Sequence, residues 1–219
     1  MRFKAVIFDL DGTLLDTLED IAISVNYTIA QFGKEPIAVK EYRYLVGEGA
    51  FSLMQKVLPE LDDEEIKKAL DIFEKHYQKQ YSKNTKLYEG IDKLLTFLQV
   101  KGLKLSILSN KPDSFTKLCA YKYLKKWKFD VVFGIREGVP KKPDPKGVFD
   151  IFDALDVKAE ESLYFGDTSI DMITAKRAGI ENSIGVLWGF RDKKELIESG
   201  AKYTVESPEE FIKISKDIL

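Results

Sequence analysis

The chain has a single cysteine and a single histidine among its 219 residues. Cys119 therefore has no partner for an intrachain disulfide, and so little cysteine fits a reducing compartment. His76 stands in a charged helical stretch with no second imidazole or thiol near it, so packing or surface is its expected role. Ser-His-Asp and Cys-His catalysis have no basis here. Charge of one sign is also missing: the net value is −2, which gives no electrostatic case for nucleic acid or an anionic membrane as partner. No stretch approaches the roughly 18 apolar residues of a membrane span. The amino-terminal apolar run is broken by Lys4 and stops at Asp9, so no signal peptide is expected. Repeats of roughly 20–50 residues and low-complexity tails are absent as well. The expectation is a soluble, cytoplasmic protein, monomer or homodimer.

With 44% apolar and 32% charged residues, the chain has an ordinary globular composition and enough length to bury a core. Its organising stretch is Phe3-Lys4-Ala5-Val6-Ile7-Phe8-Asp9-Leu10-Asp11-Gly12-Thr13. The apolar run has the pattern of a strand buried on both faces of a parallel sheet. It ends at Asp9, and Gly12 forces a turn. Residues two apart on a strand point the same way, so Asp9 and Asp11 face the space beyond its carboxyl end, where open α/β sheets bind ligands. Two carboxylates there repel unless a cation lies between them, which points to a hard metal ion, Mg2+ first. An EF-hand is excluded, because a strand precedes the acids and Leu14 sits where that loop needs glycine.

Residues 16–81 read as helices throughout. Asp16-Thr17-Leu18-Glu19 resembles a capping box with Asp16 as N-cap, and Ile21, Ala22, Val25 and Ile29 follow helical spacing. Further helices are expected over 39–46, 50–58 and 62–81. Such an insert, placed directly after the acidic loop, is a natural lid. From Gly90 strands alternate with helices, which implies a parallel sheet covered on both faces. The expected architecture is α/β: a doubly wound, Rossmann-like parallel sheet from residues 1–15 and 82–219, with residues 16–81 as an all-helical cap.

Each later polar cluster falls at a strand's carboxyl end or in the loop beyond it. Ser109 and Asn110 follow the strand 103–108, Lys142 precedes Pro143, and Gly166-Asp167-Thr168-Ser169-Ile170-Asp171 follows the strand 162–165. Taken singly, each has a bland explanation: a turn into a helix, a solvated lysine like its neighbour Lys141, a first-turn acid on a helix dipole. One accident would have to repeat at four strand ends in a fixed order.

In that order the motifs Asp9-Leu10-Asp11-Gly12-Thr13, Ser109-Asn110, Lys142 and Gly166-Asp167…Asp171 resemble the haloacid dehalogenase-like hydrolases. Leu15-Asp16-Thr17, Asp20-Ile21, Val46-Gly47-Glu48-Gly49-Ala50 and Ser109-Asn110-Lys111-Pro112 are further similar to the bacterial phosphoglycolate phosphatases. The resemblance implies a phosphatase for a small phosphate ester, with Asp9 as nucleophile forming an aspartyl-phosphate and Asp11 as general acid and base. It implies Mg2+ held by Asp9, the Asp11 backbone carbonyl and Asp167, with Asp171 orienting ligands. Lys142, Ser109, Asn110 and Thr13 would bind the phosphoryl group, and the cap loop Gly47-Glu48-Gly49 would touch the substrate. Glu48 stands where that subfamily has Asn, and it is expected to turn outward or to pair with Lys56 or Arg43.

The alternatives left open are other small esters (pyrophosphate, pyridoxal phosphate, a nucleotide or sugar phosphate) and a sugar phosphomutase, whose characteristic hinge His is Ile21 here. A dehalogenase lacks an acid at the position of Asp11. A receiver-type signalling domain has a different order of acids and no lid.

Overall fold

A computed structural model describes residues 3–218. β1 (Ala5–Phe8) runs through a tight turn into β2 (Leu15–Asp16), and the helical insert follows: α1 (Leu18–Ala30), a 3-10 turn leading into α2 (Tyr42–Leu45), α3 (Ala50–Val57) and α4 (Asp63–Gln80). The chain returns through β3 (Lys86–Leu87) and α5 (Ile91–Val100). It then alternates through β4 (Lys104–Pro112), α6 (Asp113–Cys119), β5 (Phe129–Ile135), α7 (Lys146–Leu155) and β6 (Ser162–Gly166). α8 (Ser169–Arg177), β7 (Asn182–Val186), α9 (Lys193–Glu198), β8 (Tyr203–Val205) and α10 (Pro208–Ile218) complete it.

Among the described residues the main sheet has six strands in the order β5-β4-β1-β6-β7-β8, and its neighbours run parallel. β1 is buried on both faces because its side chains alternate between two apolar layers. Val6 and Phe8 join the layer of Leu94, Cys119 and Phe211 from α5, α6 and α10. Ala5 and Ile7 join Val148, Ile151 and Ala175 from α7 and α8. The chain winds outward from β1 through β4 to β5, then crosses back to place β6 on the other flank of β1. The carboxyl ends of β1, β4 and β6 therefore meet where the winding reverses, the place open α/β sheets leave for a ligand.

The helical insert has a core of its own, with Val25, Met54, Ile66 and Tyr77 inside and Phe115 and Phe190 of the sheet body closing it. α4 starts with a reciprocal capping box between Asp62 and Glu65. The departing and returning segments are tied by the antiparallel pair β2–β3, Leu15 opposite Leu87 and Asp16 opposite Lys86. Below it the buried Asp20 carboxylate accepts from Thr85 Oγ1 (2.7 Å), Thr85 N (2.9 Å) and Gln80 Nε2 (3.0 Å). Burial opposes its charge, but the hydrogen bonds from Thr85 and Asn84 outweigh it and hold its pKa below the usual carboxylate value.

Two local expectations need correction. Asp16 is committed to β2, so Thr17 is the N-cap of α1, and it makes no side-chain capping bond. The strand expected to stop at Leu108 continues to Pro112, which pairs with Ile135 after an irregularity. His76 is a packing residue: Nδ1 lies 3.0 Å from Ser24 Oγ, and its ring stacks on Tyr27 at 4.1 Å. Cys119 is buried. Among the described residues no helix is long and apolar enough to cross a membrane.

Candidate active site

Three strand ends supply the site. β1 delivers Asp9, whose N–H donates to the Phe165 carbonyl at 2.9 Å and so fixes the residue beside β6. The turn after it needs Gly12: φ is +89°, and a Cβ there would fall 2.2 Å from Asp167 Oδ2. β6 delivers Asp167, which accepts from Thr13 Oγ1 (2.9 Å) and Phe190 N (2.9 Å). Thr168 caps α8, and Asp171 completes the capping box, its Oδ2 accepting from Thr168 N (3.1 Å) and Oγ1 (2.8 Å).

One ammonium joins these acids. Lys142 Nζ lies 2.9 Å from Asp9 Oδ1 and 2.7 Å from Asp171 Oδ1, fully inside the protein. Asp9, Asp167 and Asp171 each offer an oxygen within 4.8 Å of the others. Burial pushes the Asp9 carboxyl up to about 7 against the pull of Lys142, with Asp171 and Asp11 adding to the rise. Burial, then Asp9 and Asp171, raise Asp167 well above the carboxylate range. Burial works against the Lys142 charge too, yet Asp171 and Asp9 outweigh it and raise its pKa well above the usual value. One ammonium thus leaves three crowded carboxylates short of positive charge. A divalent ion with oxygen ligands would supply it, so the donor set fits Mg2+.

Not every expected site residue does what its type suggested. The Asp11 carboxylate is outside the triad and pairs with Lys111 Nζ at 3.0 and 3.1 Å; only its backbone remains for a metal. Both amide hydrogens of Asn110 are taken, by the Gly47 carbonyl (3.1 Å) and the Lys142 carbonyl (3.0 Å), and its Oδ1 accepts from Lys142 N (2.9 Å). Asn110 thereby ties β4, the Lys142 loop and the cap together, and its side chain has no donor left for a phosphoryl oxygen. The Thr13 hydroxyl is likewise engaged, by Asp167. Ser109 Oγ accepts from Lys111 N at 3.2 Å, and its own hydrogen stays available.

The loop Gly47-Glu48-Gly49 is gripped by the sheet body. Successive carbonyls of Val46, Gly47 and Glu48 accept from Arg191 (3.0 Å), Asn110 (3.1 Å) and Lys141 (2.6 Å). Lys141 also reaches Ser52 Oγ at 2.9 Å, so it is a cap tether, not the solvated bystander its position suggested. Glu48 pairs with Lys56 at 2.6 Å, one of the two partners anticipated for it. Between loop and strand ends lies a cleft lined by Asp9, Asp11 and Ser109, with Ile21, Leu53 and Phe73 among its apolar walls.

The two neighbouring lysines are expected to behave differently. Lys142→Ala strands Asp9 and Asp171 without their cation, and should cost on the order of 10²–10³ in kcat, as for other preorganised charge contacts. Lys141→Ala removes exposed tethers and should change kcat less than about tenfold, given the small worth of exposed charge contacts. Steady-state kinetics on the purified variants decide; equal losses would mean a shared electrostatic patch.

Comparison with known proteins agrees with this geometry. Residues 6–186 match the family model "Haloacid dehalogenase-like hydrolase". The phosphoglycolate phosphatase of Aquifex aeolicus is 31% identical over 96% of both chains, and that of Colwellia psychrerythraea is 30% identical over 95% of both. A crystal structure of a protein from Lactobacillus delbrueckii subsp. bulgaricus superimposes with a TM-score of 0.90 at 28% identity, covering 100% of this chain and 99% of that one. The acid pair, the buried lysine and the Gly-Asp…Asp cluster thus lie on a family fold matched along nearly the whole chain, and the chain belongs to the haloacid dehalogenase-like hydrolase family.

Proposed function

We propose that the protein is a Mg2+-dependent phosphatase that hydrolyses 2-phosphoglycolate through an aspartyl-phosphate, with residues 16–81 as a cap over a catalytic body of 1–15 and 82–219. The observation that carries this reading is the buried cluster of Asp9, Asp167, Asp171 and Lys142 at adjoining strand ends. Phosphoryl transfer needs positioning and charge stabilisation more than covalent chemistry, and this cluster is built for both.

Lys142 occupies Asp9 Oδ1, which leaves the second carboxylate oxygen to attack phosphorus in line. As the P–O bond to the leaving group breaks, Asp11 gives that oxygen its proton. Asp11 then takes a proton from water, which attacks the phosphorus of the acyl phosphate, frees inorganic phosphate and regenerates Asp9. Lys142 and the Ser109 hydroxyl neutralise and orient the phosphoryl oxygens. Asp9, Asp167 and the Asp11 carbonyl would hold Mg2+, with Asp171 orienting; the ion supplies charge neutralisation for the reacting phosphate. The cap excludes bulk water while the acyl phosphate exists.

For the substrate, support comes from the relatives' activity and from the outward pairing of Glu48 with Lys56. A carboxylate aimed into the cleft would repel a second carboxylate on the substrate. Glu48→Gln should therefore leave the ratio of kcat/KM for 2-phosphoglycolate over p-nitrophenyl phosphate within about twofold. A tenfold rise, about 1.4 kcal/mol of relieved repulsion, would place that charge against the substrate and favour an ester neutral beyond its phosphate. The whole proposal is tested by a screen of small phosphate esters at fixed Mg2+. It expects 2-phosphoglycolate to lead in kcat/KM, and a lead of tenfold or more by a nucleotide or sugar phosphate would overturn the substrate.

A further inference from the structure

Lys111 lines the same cleft as Asp9 and Ser109, and its position is fully determined. Its backbone is rooted in β4: the carbonyl accepts from Thr116 Oγ1 at 3.2 Å, and the N–H donates to Ser109 Oγ at 3.2 Å. Its ammonium leaves the strand in two directions. Toward β1 it donates to both Asp11 oxygens, at 3.0 and 3.1 Å; toward the cap it donates to the Tyr77 hydroxyl of α4, at 2.8 Å. Three N–H groups therefore meet three oxygens, which leaves the ammonium one orientation. Tyr77 cannot swing away on its own helix, because its ring stacks on Phe73 at 5.4 Å and meets Phe115 edge-on at 5.1 Å. Lys111 is 7% exposed and Tyr77 2%, so water does not stand in for either partner.

The asymmetry lies in Asp11. Asp9 and Asp167 are each fixed from the sheet body alone, by Lys142 in one case and by Thr13 and Phe190 in the other. The Asp11 carboxylate depends on a lysine whose third contact belongs to α4 of the helical insert. We propose that Lys111 is the positioning residue of Asp11, and that Tyr77 makes this positioning conditional on cap closure. The proposal rests on the reading of Asp11 as the group that protonates the leaving oxygen. With the cap swung away, Lys111 loses an acceptor and gains water, and Asp11 loses its fixed direction. Leaving-group protonation is then confined to the closed, water-poor state. The Lys111–Tyr77 bond is distinct from the bonds that Arg191, Asn110 and Lys141 make to the cap loop, which do not involve the Asp11 carboxylate.

A leaving-group test separates this role from a merely structural one. Phenyl phosphate and p-nitrophenyl phosphate share a ring, and neither carries a charged group beyond its phosphate. They differ in how much their leaving oxygen needs a proton. kcat/KM reports the steps up to leaving-group departure, so its ratio for phenyl over p-nitrophenyl phosphate reads the general acid. With the full chain and saturating Mg2+, Asp11→Asn should lower that ratio about tenfold, Lys111→Met about fivefold and Tyr77→Phe two- to threefold. The double variant Asp11→Asn with Lys111→Met should fall no further than Asp11→Asn alone, because the lysine acts through the acid. If Asp11→Asn lowers the ratio and Lys111→Met leaves it unchanged, Lys111 is a structural cation and the proposal fails while the phosphatase reading stands. If Asp11→Asn itself leaves the ratio unchanged, Asp11 is not the acid, and the proposal falls with that role while the phosphatase reading stands. Tyr77→Phe keeps the ring packing and guards against misfolding of the lysine variant; a native circular dichroism spectrum with an unchanged ratio would overturn the link to the cap.

Discussion

Asp9→Asn is expected to reduce turnover at least ~10⁴-fold, beyond the usual loss of one proton-transfer group, because an amide does not attack phosphorus. Acid-quenched mixtures with radiolabelled substrate should show a labelled protein for the parent and none for the variant. The fold should survive, and the reason lies in the electrostatics. In the metal-free protein burial pushes the Asp9 carboxyl up to about 7, so its ionised form is disfavoured in the folded state. Asn removes that unfavourable charge while keeping the shape, and the melting temperature in chelator at pH 8 should be equal to or higher than the parent's. A variant that loses activity together with a large drop in melting temperature would make Asp9 a structural residue. One that keeps its rate while Asp11→Asn loses it would exchange the two roles.

How far such a site can be read from sequence depends on whether the information is local. The β1 stretch was legible because eleven consecutive residues carry the whole message: an apolar run, two acids in register and a glycine where φ is +89°. Gly166-Asp167…Asp171 was legible for the same reason, its strand end and helix cap being contiguous. β2 and β3 were not, since two residues each carry no periodicity and their pairing joins positions Leu15 and Leu87. The same separation hid the use of Asp16 as a strand residue, where its neighbours looked like a capping box.

The partners of polar side chains were hidden along the same line. Ser109 and Asn110 have the right types for phosphate, but the Asn110 amide is consumed by backbone carbonyls of Gly47 and Lys142, each far away in the chain. Lys111 stood within a recognisable string, Ser109-Asn110-Lys111-Pro112, yet nothing local pairs it with Asp11 and Tyr77. Lys141 and Lys142 look alike in sequence; the turn between them sends one ammonium to the cap and the other to the acids. A hydrophobic period tells which face of an element is buried, and it is silent on which partner a polar group finds across the sheet.

Removing divalent ions is expected to abolish activity, and Mg2+ to restore it, because Asp9, Asp167 and Asp171 share a buried space within 4.8 Å. Ca2+ should support little turnover, since its larger, looser coordination shell misplaces the nucleophile. The same crowding predicts a pH signature in stability. A carboxyl whose folded pKa is raised binds more protons when folded than when unfolded, so the metal-free protein loses stability as pH climbs from the unfolded carboxylate value near 4 toward the folded value of about 7 for Asp9. A bound ion needs those carboxylates deprotonated, so protons compete with it below that value, and its stabilising effect grows with pH across the same window. At roughly 100-fold excess over its Kd, Mg2+ contributes about 2.7 kcal/mol, or a rise of about 5–10 °C in Tm for a chain of this size. Melting curves with chelator and with Mg2+ should therefore lie close together at pH 5 and well apart at pH 8. Curves equally separated at both would mean that the ion does not bind through these raised carboxyls, and full activity in chelator would remove the metal from the mechanism altogether.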